Sequence, residues 1–516
     1  MSSGDDWSTP SNDALLLTLV SPSPSGPKTI GHSFHPRFTY SIFGESEEIF
    51  GYRDLEINLR YNASDLRPNL TVSYGKKFPT VGETEATDVE GALREFLPDV
   101  AFQKKSDFET AIKNVSADWT PPGALCAKFS TKGSHFEVWK ASLADPAVKQ
   151  LVRRIQILVP LFIEGGTPID VDASDADRWT VFFLYEKKAA SDDGSNPYVF
   201  AGYCTVYRFF VMLPKATPAS SPSEEVVEKA AQSQDFDLSE LPCRTRISQF
   251  IILPIFQGRG LGPRLYSHIY QDYLHHPQTV EITVEDPNEA FDDMRDVADL
   301  HFLRTLKEFR DLRINTELAI PKRGPAPDNI VDKAAWEATR AQAKMAPRQF
   351  ARVLEMDLMS RLPETVRPGI EVPEEEEEEE KQAEAEANGK KPGKGKGKAP
   401  VRPRPTKEQE HRYRLWRLLL KVRLYKHNKD ALGELEVPER IAKLDETVAS
   451  VEFDYARLLL KAEEQAQRMR AEGAEASAGA AAAPLAKNGK RKADGNGEAP
   501  TVSKKVRVES VSDEEA

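Results

Sequence analysis

Cysteine is scarce in this sequence, and the scarcity excludes several classes of protein. The chain of 516 residues contains three cysteines, Cys126, Cys204 and Cys243. An odd number of widely separated cysteines supplies neither the disulfide framework of a small secreted domain nor the ligand spacing of a zinc site. The nine histidines add no such spacing. We therefore expect a reducing compartment and no bound metal ion.

Long apolar runs and an excess of positive charge are missing as well. No run of about 18 apolar residues predicts a membrane span, and the first residues lack the charged and then apolar pattern of a signal peptide. The 82 acidic residues outnumber the 70 basic ones, which gives a formal charge of −12. Because phosphate binding requires clustered Lys and Arg, we do not expect direct nucleic-acid binding. The composition fits a soluble intracellular protein with a basic partner.

Changes in composition divide the chain into seven predicted segments. We expect disorder at residues 1–12, at the acidic and then Lys- and Gly-rich linker 371–405, and at the tail 472–516. Such segments bury too little apolar surface to offset the entropy of the chain. The folded segments are then a mixed α/β N-terminal domain, a catalytic domain, a helical region and a set of C-terminal helices, at residues 13–145, 146–320, 321–370 and 406–471.

Hydrophobic periodicity predicts both strands and helices in these segments. Period-two alternation and longer apolar runs predict strands at residues 55–61, 70–75, 179–187, 198–213 and 246–256. Helical spacing of apolar residues predicts helices at residues 89–97, 148–164 and 411–427, and a last helix that begins at Pro438. The polar stretch 215–241 is predicted to be a flexible surface insertion. We therefore expect an α/β fold of the α+β type.

A glycine-rich loop, Gln257–Gly262, lies between a predicted strand and a predicted helix. The backbone N–H groups of such a loop and the positive end of the helix dipole can bind a pyrophosphate. The glycines at 258, 260 and 262 do not match the dinucleotide-binding spacing, and no Gly-Lys-Ser/Thr follows that would make a Walker A loop. The alternative is a strand-to-helix turn that only requires glycine.

The loop resembles the Gln/Arg-x-x-Gly-x-Gly/Ala acyl-CoA signature of the GNAT acetyltransferase superfamily. The longer segment Ser248–Gly260 resembles the type B histone acetyltransferase family. Further segments agree with that family in the same order along the chain: Ile42–Gly44 with Phe50–Tyr52, Phe162–Glu164 with Ile169–Asp172 and Arg178–Trp179, Glu281–Asn288, and Arg412–Leu415. The resemblance covers roughly residues 12–320 and, more loosely, the C-terminal helices. It implies a GNAT core and acetyl-CoA as the co-substrate.

The resemblance also implies which residues hold acetyl-CoA. The backbones of Phe250, Ile251 and Ile252 are expected to pair with the pantetheine arm as an added strand would. The pyrophosphate is expected to bind at Gln257, Gly258, Arg259, Gly260, Leu261, Gly262 and Pro263. Asn288 is expected to contact the cofactor as well. One departure is visible, because Val297 stands where some family members carry a basic residue that contacts the cofactor.

Acetyl transfer to lysine requires a neutral amine, and a free lysine has a pKa of about 10.4. A carboxylate within reach of the amine must therefore accept its proton. Glu285 ends a predicted strand beside the cofactor strand, and the resemblance implies that it is the general base, assisted by Asp286 and Glu164. The alternative for Asp286 is structural, because Asp-Pro-Asn-Glu is also a good sequence for starting a helix.

Two further segments are implied to hold the substrate, the N-terminal tail of histone H-four. They are Glu45, Ser46 and Glu47, and the strand residues Tyr207, Arg208 and Phe209. Acidic and aromatic side chains suit a tail rich in Gly and Lys. Arg208 does not, so we expect it to point away or to pair with a carboxylate. The alternatives are a solvated hairpin turn for the first segment and an ordinary core strand for the second.

The resemblance predicts an enzyme that acetylates lysines of newly synthesised, free histone H-four, with a WD-repeat histone chaperone as its partner. Two basic clusters, Lys490–Lys492 and Lys504–Arg507, resemble a bipartite import signal, so we expect the protein in cytoplasm and nucleus. Two alternatives stay open. One is a GNAT enzyme that acts on other proteins or small amines, and the other is a non-catalytic histone-binding subunit. The presence of both the glycine loop and Glu285 argues against the second.

Overall fold

The computed structural model describes residues 7–189, 195–211, 241–321, 326–369 and 404–481, with backbone alone for residue 469 and residues 471–481. The predicted insertion at 215–241 and the linker at 371–405 lie almost entirely outside these ranges. The two basic clusters of the predicted import signal lie wholly outside them. The chain divides into two units, residues 1–465 and 466–516.

The strands are β1 (Ser8–Pro10), β2 (Leu15–Ser21), β3 (Lys28–Thr29), β4 (Glu48–Phe50), β5 (Tyr52–Arg53), β6 (Glu56–Asn62), β7 (Pro68–Ser73), β8 (Lys76–Lys77), β9 (Ala124–Thr131), β10 (Ser134–Ser142), β11 (Trp179–Lys187), β12 (Tyr198–Phe210), β13 (Cys243–Ile252) and β14 (Thr279–Val284). The helices are α1 (Ser11–Ala14), α2 (Tyr40–Phe43), α3 (Val89–Arg94), α4 (Lys105–Lys113), α5 (Pro146–Ile155), α6 (Leu158–Phe162), α7 (Leu261–Leu274), α8 (Glu289–Leu303), α9 (Lys307–Asp311), α10 (Lys333–Gln342), α11 (Pro347–Ser360), α12 (Lys407–His427), α13 (Lys429–Gly433) and α14 (Val437–Ala481). Short 3-10 turns lie at Asp99–Phe102, Ala176–Arg178 and Pro254–Phe256.

A six-stranded sheet, in the order β14-β13-β12-β11-β10-β9, forms the centre of the first unit. Its neighbouring strands are antiparallel except β13 and β14, which are parallel. A four-stranded sheet, β3-β2-β6-β7, and two strand pairs, β1-β4 and β5-β8, are built from the N-terminal part of the chain. The expected mixed α/β fold is confirmed.

The structure differs from the predicted domain boundary at residue 145. The hairpin β9–β10 lies before that boundary, yet β10 pairs with β11 along seven residue pairs from Ser142↔Thr180 to Phe136↔Glu186. One hydrophobic core also includes buried side chains from Ala14 to Ala462. Strand pairing and a shared core therefore join the segments that composition separates.

The predicted disorder of residues 1–12 is wrong for residues 8–12. Residues Ser8–Pro10 pair with Glu48–Phe50 as an antiparallel strand. The side chain of Ser11 is fully buried, and its hydroxyl donates to the backbone carbonyl of Glu47 at 2.7 Å. Local composition does not reveal such a pairing, because the partner strand lies about 40 residues further along the chain.

The predicted helix 148–164 is two helices, α5 and α6. Asp145 caps α5 by accepting a hydrogen bond from the backbone of Ala147 at 2.8 Å, and Pro146 occupies the first turn. Pro160 has no backbone N–H to continue the hydrogen-bond ladder of a single long helix, so the chain breaks between Ile155 and Leu158. This break places Phe162 and Ile163 beside the central sheet.

The C-terminal helices begin at the predicted start of their segment, near residue 406, and extend beyond its predicted end. Helix α12 begins with a reciprocal capping box, in which Thr406 and Gln409 each bond the other's backbone N–H. Helix α14 runs to Ala481 rather than ending near residue 471, because this alanine-rich stretch has a high helix propensity. None of the helices in the described ranges is both long enough and apolar enough to span a membrane.

Candidate active site

The parallel strands β13 and β14 part where the site begins. Their pairing ends at Ile247↔Val284, whereas β13 continues to Ile252 alongside β12. A Cβ placed on Gly202 of β12 would lie 2.3 Å from the carbonyl oxygen of Ile251, so the backbone of Ile251 faces β12. Because backbone groups alternate along a strand, those of Phe250 and Ile252 face the open edge. Two of the three residues predicted to pair with pantetheine thus present their backbones there.

A cleft of about 460 Å³ lies along this open edge. Every residue predicted to hold the cofactor lines it except Arg259. The guanidinium of Arg259 instead lies 5.1 Å from the ring centre of Phe256, and its carbonyl accepts a hydrogen bond from Thr131. The predicted catalytic residues Glu285 and Asp286 line the same cleft, so the structure brings the base and the loop together.

The glycine loop has a backbone conformation that residues other than glycine rarely adopt. Gly258 and Gly260 have φ angles of 70° and 74°, in the left-handed region. A Cβ on either glycine would meet no atom within 4 Å, so conformation and not space requires glycine. Helix α7 begins at Leu261, immediately after Gly260, with its first N–H groups at the cleft. The turn between β9 and β10 supports the loop, since Lys132 Nζ donates to the Gly258 carbonyl at 2.9 Å.

Glu285 follows the last residue of β14. Its backbone N–H donates to the Ile247 carbonyl at 2.9 Å. Its carboxylate accepts a 2.5 Å hydrogen bond from Ser248 Oγ and lies 3.3 Å from a guanidinium nitrogen of Arg246. The side chain is 41 % exposed, so a substrate amine can reach it.

The structure corrects one alternative for the residues after Glu285. Asn288, and not Asp286, caps helix α8, because Asn288 Oδ1 accepts a hydrogen bond from the Phe291 backbone at 2.9 Å. Asp286 has a φ of 32°, which turns the chain sharply at the cleft. Asn288 retains its amide nitrogen for a ligand. Glu164 is exposed at the end of α6, next to the cleft-lining residues Phe162 and Ile163, but it does not itself line the cleft.

The first predicted substrate segment, residues 45–47, follows the short helix α2. Glu45 and Ser46 are exposed. The carboxylate of Glu47 accepts hydrogen bonds from the backbone N–H groups of Thr39, at 2.5 Å, and Tyr40, at 3.2 Å. The bond from Thr39 is the main reason that the pKa of Glu47 is lowered from its usual value. Glu47 therefore holds the N-terminus of α2, whereas Glu45 is available to a ligand.

The second predicted substrate segment ends strand β12. Residues 198–206 of this strand are buried, as in an ordinary core strand, but residues 207–210 are only half-buried. The Tyr207 ring packs against Trp179 and Phe209, with ring centres 4.7 and 4.6 Å apart, and its hydroxyl donates to Asp175 at 2.8 Å. The guanidinium of Arg208 donates to the backbone carbonyl of Asp177 at 3.1 Å, and it pairs with no carboxylate of the described residues.

Several residues that line the cleft have no predicted role. Phe291 and Met294 are spaced by three on helix α8, so their shared face could have been inferred once the helix was placed. Arg37 belongs to an irregular segment and carries no sequence signal. Val297 is 1 % exposed in the core and does not line the cleft.

An open strand edge, a glycine loop at a helix N-terminus and a carboxylate at one cleft are the arrangement expected of an enzyme that takes an acyl group from CoA. A family model described as the N-terminus of the histone acetyl transferase HAT1 matches residues 7–164, and one described as the C-terminal part of fungal HAT1 matches residues 296–362.

Whole-chain comparison identifies the family. A protein of Neurospora crassa named "Histone acetyltransferase type B catalytic subunit" is 55 % identical over an alignment of 520 positions, which covers 99 % of each chain. Proteins of the same name are 48 % identical in Pyricularia oryzae, over 90 % of this chain and 94 % of the relative, and 33 % identical in Candida albicans, over 88 % and 90 %. The chain belongs to the family of type B histone acetyltransferase catalytic subunits.

Proposed function

We propose that this enzyme transfers an acetyl group from acetyl-CoA to lysines in the N-terminal tail of newly synthesised, free histone H-four. The observation that carries the proposal is the position of Glu285, at the point where β13 and β14 part and in the same cleft as the glycine loop. The names of the relatives support histone as the substrate class.

The residues at the cleft fit acetyl-CoA. Phe250 and Ile252 present backbone groups to the pantetheine amides, as an edge strand does to a new strand. The Ile252 carbonyl already accepts a hydrogen bond from Gln257 Nε2 at 2.8 Å. Gly258 and Gly260 leave open space, and the N-terminus of α7 supplies partial positive charge for the pyrophosphate. Arg37 adds a full positive charge on the cleft wall.

Glu285 is the proposed general base. A lysine that enters the cleft as an ammonium gives a proton to this carboxylate, and its nitrogen then attacks the thioester carbonyl. A C–N bond forms, the C–S bond breaks, and CoA leaves as a thiolate. The thiolate takes up the second proton that the nitrogen loses on becoming an amide, and Glu285 releases the first proton to solvent. Asp286 and Glu164 are proposed to assist by adding negative charge near the entering cation.

The exposed carboxylate of Glu45, the hydroxyl of Ser46 and the half-buried residues Tyr207 and Phe209 are proposed to hold the tail. Aromatic faces and carboxylates both attract the ammonium groups of lysine. Glu47 and Arg208 are proposed to contribute through their backbones and neighbours, since their side chains already bond within the protein.

Substitution of the base tests this proposal. We expect Glu285→Gln to lower the rate of acetyl transfer to a histone H-four tail peptide by about 10² or more at neutral pH. Acetyl-CoA affinity, measured by calorimetry, should be nearly unchanged, and part of the rate should return at high pH as free lysine deprotonates. Glu56→Gln, at an exposed strand position, is the control. Wild-type rates in Glu285→Gln at every pH would eliminate Glu285 as the base, and faster transfer to spermidine than to the peptide would favour a small-amine substrate.

A WD-repeat histone chaperone is the proposed partner, on the basis of the family resemblance alone. The predicted insertion 215–241 follows directly after β12, whose end is proposed to bind the tail. The alternative is that the insertion is a loop without a binding role. If the insertion extends the contact, deletion of residues 217–236 should weaken chaperone binding in a pull-down titration. Unchanged affinity would show that the insertion does not contribute to chaperone binding.

We also propose that the protein is present in both cytoplasm and nucleus. The support is the pair of basic clusters, Lys490–Lys492 and Lys504–Arg507. Removal of residues 487–516 from a fluorescent fusion should shift the protein toward the cytoplasm. An unchanged distribution would leave the tail as a solvated charged segment.

A further inference from the structure

Three consecutive residues of β13 hold Glu285. The backbone carbonyl of Ile247 accepts the Glu285 N–H, and the residues on either side bond the two carboxylate oxygens. Ser248 Oγ donates to Oε2 at 2.5 Å, and Arg246 approaches Oε1 at 3.3 Å. Backbone and side chain of the base are thus fixed by one short stretch of the neighbouring strand.

Strand geometry explains why these residues act together. Along β13 the side chains alternate between buried and more exposed, and Arg246 and Ser248 both lie on the more exposed face. They stand two residues apart, which lets them reach both oxygens of one carboxylate from the same side. Ser248 also lines the cleft, where the reacting amine must arrive.

A base at the end of a strand requires such support. A glutamate has three rotatable side-chain bonds, and at 41 % exposure its carboxylate could sample several orientations. Proton transfer requires the carboxylate within hydrogen-bond reach of the amine while the nitrogen faces the thioester. Hydrogen bonds to a charged group are stronger than those between neutral groups, so the two donors Ser248 and Arg246 favour one orientation of the Glu285 carboxylate.

Arg246 also contacts the segment that is proposed to bind the substrate. Its guanidinium lies 4.2 Å from the ring centre of Phe209, and Phe209 packs against Tyr207. On β12, Tyr207 is directly opposite Arg246. The guanidinium therefore lies between the aromatic pair and the carboxylate of Glu285.

We infer that Ser248 is a positioning residue for Glu285, and that Arg246 links the orientation of this base to the occupancy of the aromatic pair Tyr207 and Phe209. The inference rests on the proposed function, since it takes Glu285 as the base. Neither residue touches the reacting atoms. Ser248 sets the direction of the carboxylate, and a peptide that packs on Phe209 holds Arg246, and through it Glu285, in place.

Serine variants test the positioning role. Ser248→Ala should lower kcat for the tail peptide about tenfold, the loss of one hydrogen bond to a charged group, while the KM for acetyl-CoA stays within about twofold. Ser248→Thr keeps the hydroxyl and should restore most of the rate. Ser106→Ala, at an exposed position of helix α4, is the matched control and should behave as wild type. A structural defect would instead lower kcat equally in Ser248→Ala and Ser248→Thr, or it would change the KM for acetyl-CoA.

A double variant separates this inference from the proposed function. If Ser248 acts only through Glu285, adding Ser248→Ala to Glu285→Gln should cause no further loss in single-turnover rate. A further tenfold loss would show that Ser248 acts independently and would overturn the inference. If Glu285→Gln is slow but Ser248→Ala has wild-type kcat, the inference fails and the base assignment stands. If Glu285→Gln is itself fully active, both fail.

Arginine variants test the link to the substrate. Arg246→Gln should lower kcat/KM for the peptide about tenfold and leave the KM for acetyl-CoA within about twofold, because one anchor of the carboxylate and the cation beside Phe209 are both lost. Arg244→Gln is the matched control, since Arg244 forms the same kind of cross-strand ion pair with Glu281, at 2.9 Å. Equal kinetics of Arg246→Gln and Arg244→Gln would overturn the role of Arg246.

Discussion

Gly260 is the loop residue at which we expect a single side chain to determine whether acetyl-CoA binds. Its φ of 74° costs an L-residue about 1 kcal/mol or somewhat more, but a side chain there would project into open space at the cleft. We therefore expect the chemical character of that side chain, and not its size, to decide binding. The same holds for Gly258, whose φ and surroundings are equivalent.

We expect Gly260→Asp to abolish acetyl-CoA binding without unfolding the protein, because it places a carboxylate where the pyrophosphate must approach. Gly260→Ala should pay the conformational cost alone and bind with modest loss. Gly82→Asp, at another open position with a comparable φ of 62°, controls for backbone strain and should bind normally. Calorimetric titration of the folded variants measures this. Normal binding by Gly260→Asp would refute the loop as the pyrophosphate site.

Glu47 illustrates a residue whose type suggests one role while its contacts indicate another. Its carboxylate caps α2, and those hydrogen bonds lower its pKa. A lowered pKa in the folded state stabilises the fold at neutral pH, and this stabilisation is lost as pH falls through the folded-state pKa. We expect Glu47→Gln to reduce the free energy of unfolding at pH 7, with the difference from wild type shrinking toward low pH.

The neighbouring Glu45 provides the contrast. Because its side chain is exposed, Glu45→Gln should leave the unfolding free energy within about 0.5 kcal/mol and weaken binding of the tail peptide instead. Urea denaturation across pH, together with peptide titration, separates the two residues. A loss of stability in Glu45→Gln equal to that in Glu47→Gln would contradict this division of roles.

At the scale of elements, hydrophobic pattern is informative where an element forms its own contacts. Strand β11 has the predicted bounds, and α12 extends the predicted helix by four residues at its start. The pattern does not show what distant contacts decide. Strand β1 is ordered by its pairing with β4. Helices α5 and α6 bury apolar side chains in one core, although the chain breaks between Ile155 and Leu158.

The candidate site divides in the same way between what a sequence can reveal and what it cannot. The glycine loop and Glu285 are recognisable as candidates because their residue types suit the proposed chemistry. The parting of β13 from β14 is not, since it depends on the register of two strands about 30 residues apart. Ser248 and Arg37 are ordinary residue types, and only the fold places them at the cleft.

Helix α12 packs against the core through Trp416. This side chain is fully buried, and its indole N–H donates to the Glu355 carbonyl of α11 at 2.9 Å. We expect Trp416→Ala to lower the free energy of unfolding by about 3–5 kcal/mol, the usual cost of deleting a large buried aromatic side chain. Tyr425→Ala, at an exposed position of the same helix, should cost less than about 1 kcal/mol. Chemical denaturation provides both values, and similar losses for the two variants would contradict this account of the docking.

Across the whole molecule, buried polar groups connect the cofactor cleft to the helices that follow it. Asp299 of α8 accepts hydrogen bonds from Tyr266 of α7 at 2.8 Å and from Gln349 of α11 at 2.9 Å. Helix α7 begins at the glycine loop, and α8 carries the cleft residues Phe291 and Met294. The two helices that form the cleft are therefore tied to α11 through one carboxyl group.

The charge of this carboxyl group makes the stability of the assembly depend on pH. Burial raises the pKa of Asp299 from its usual value near 3.8 to about 6, although Arg295 opposes the rise. A carboxyl whose pKa is raised by folding contributes most below its unfolded-state value, and this contribution is lost as pH rises through the folded-state value. The full difference corresponds to about 3 kcal/mol, of which about 2 kcal/mol is lost between pH 4 and pH 7.

We therefore expect the free energy of unfolding of wild type, relative to Asp299→Asn, to fall by about 2 kcal/mol as pH rises from 4 to 7, because asparagine has no charge to bury. Asp311→Asn should give a pH dependence of the opposite sign. Because the hydrogen bond from Lys307 lowers the pKa of Asp311, the free energy of unfolding of wild type should rise relative to that variant as pH rises. Urea denaturation at several pH values measures both differences. A flat or rising difference for Asp299→Asn would mean that the carboxyl ionises as easily in the fold as in the unfolded chain. In that case its neighbours, Arg295, Tyr266 and Gln349, stabilise the anion enough to offset its burial.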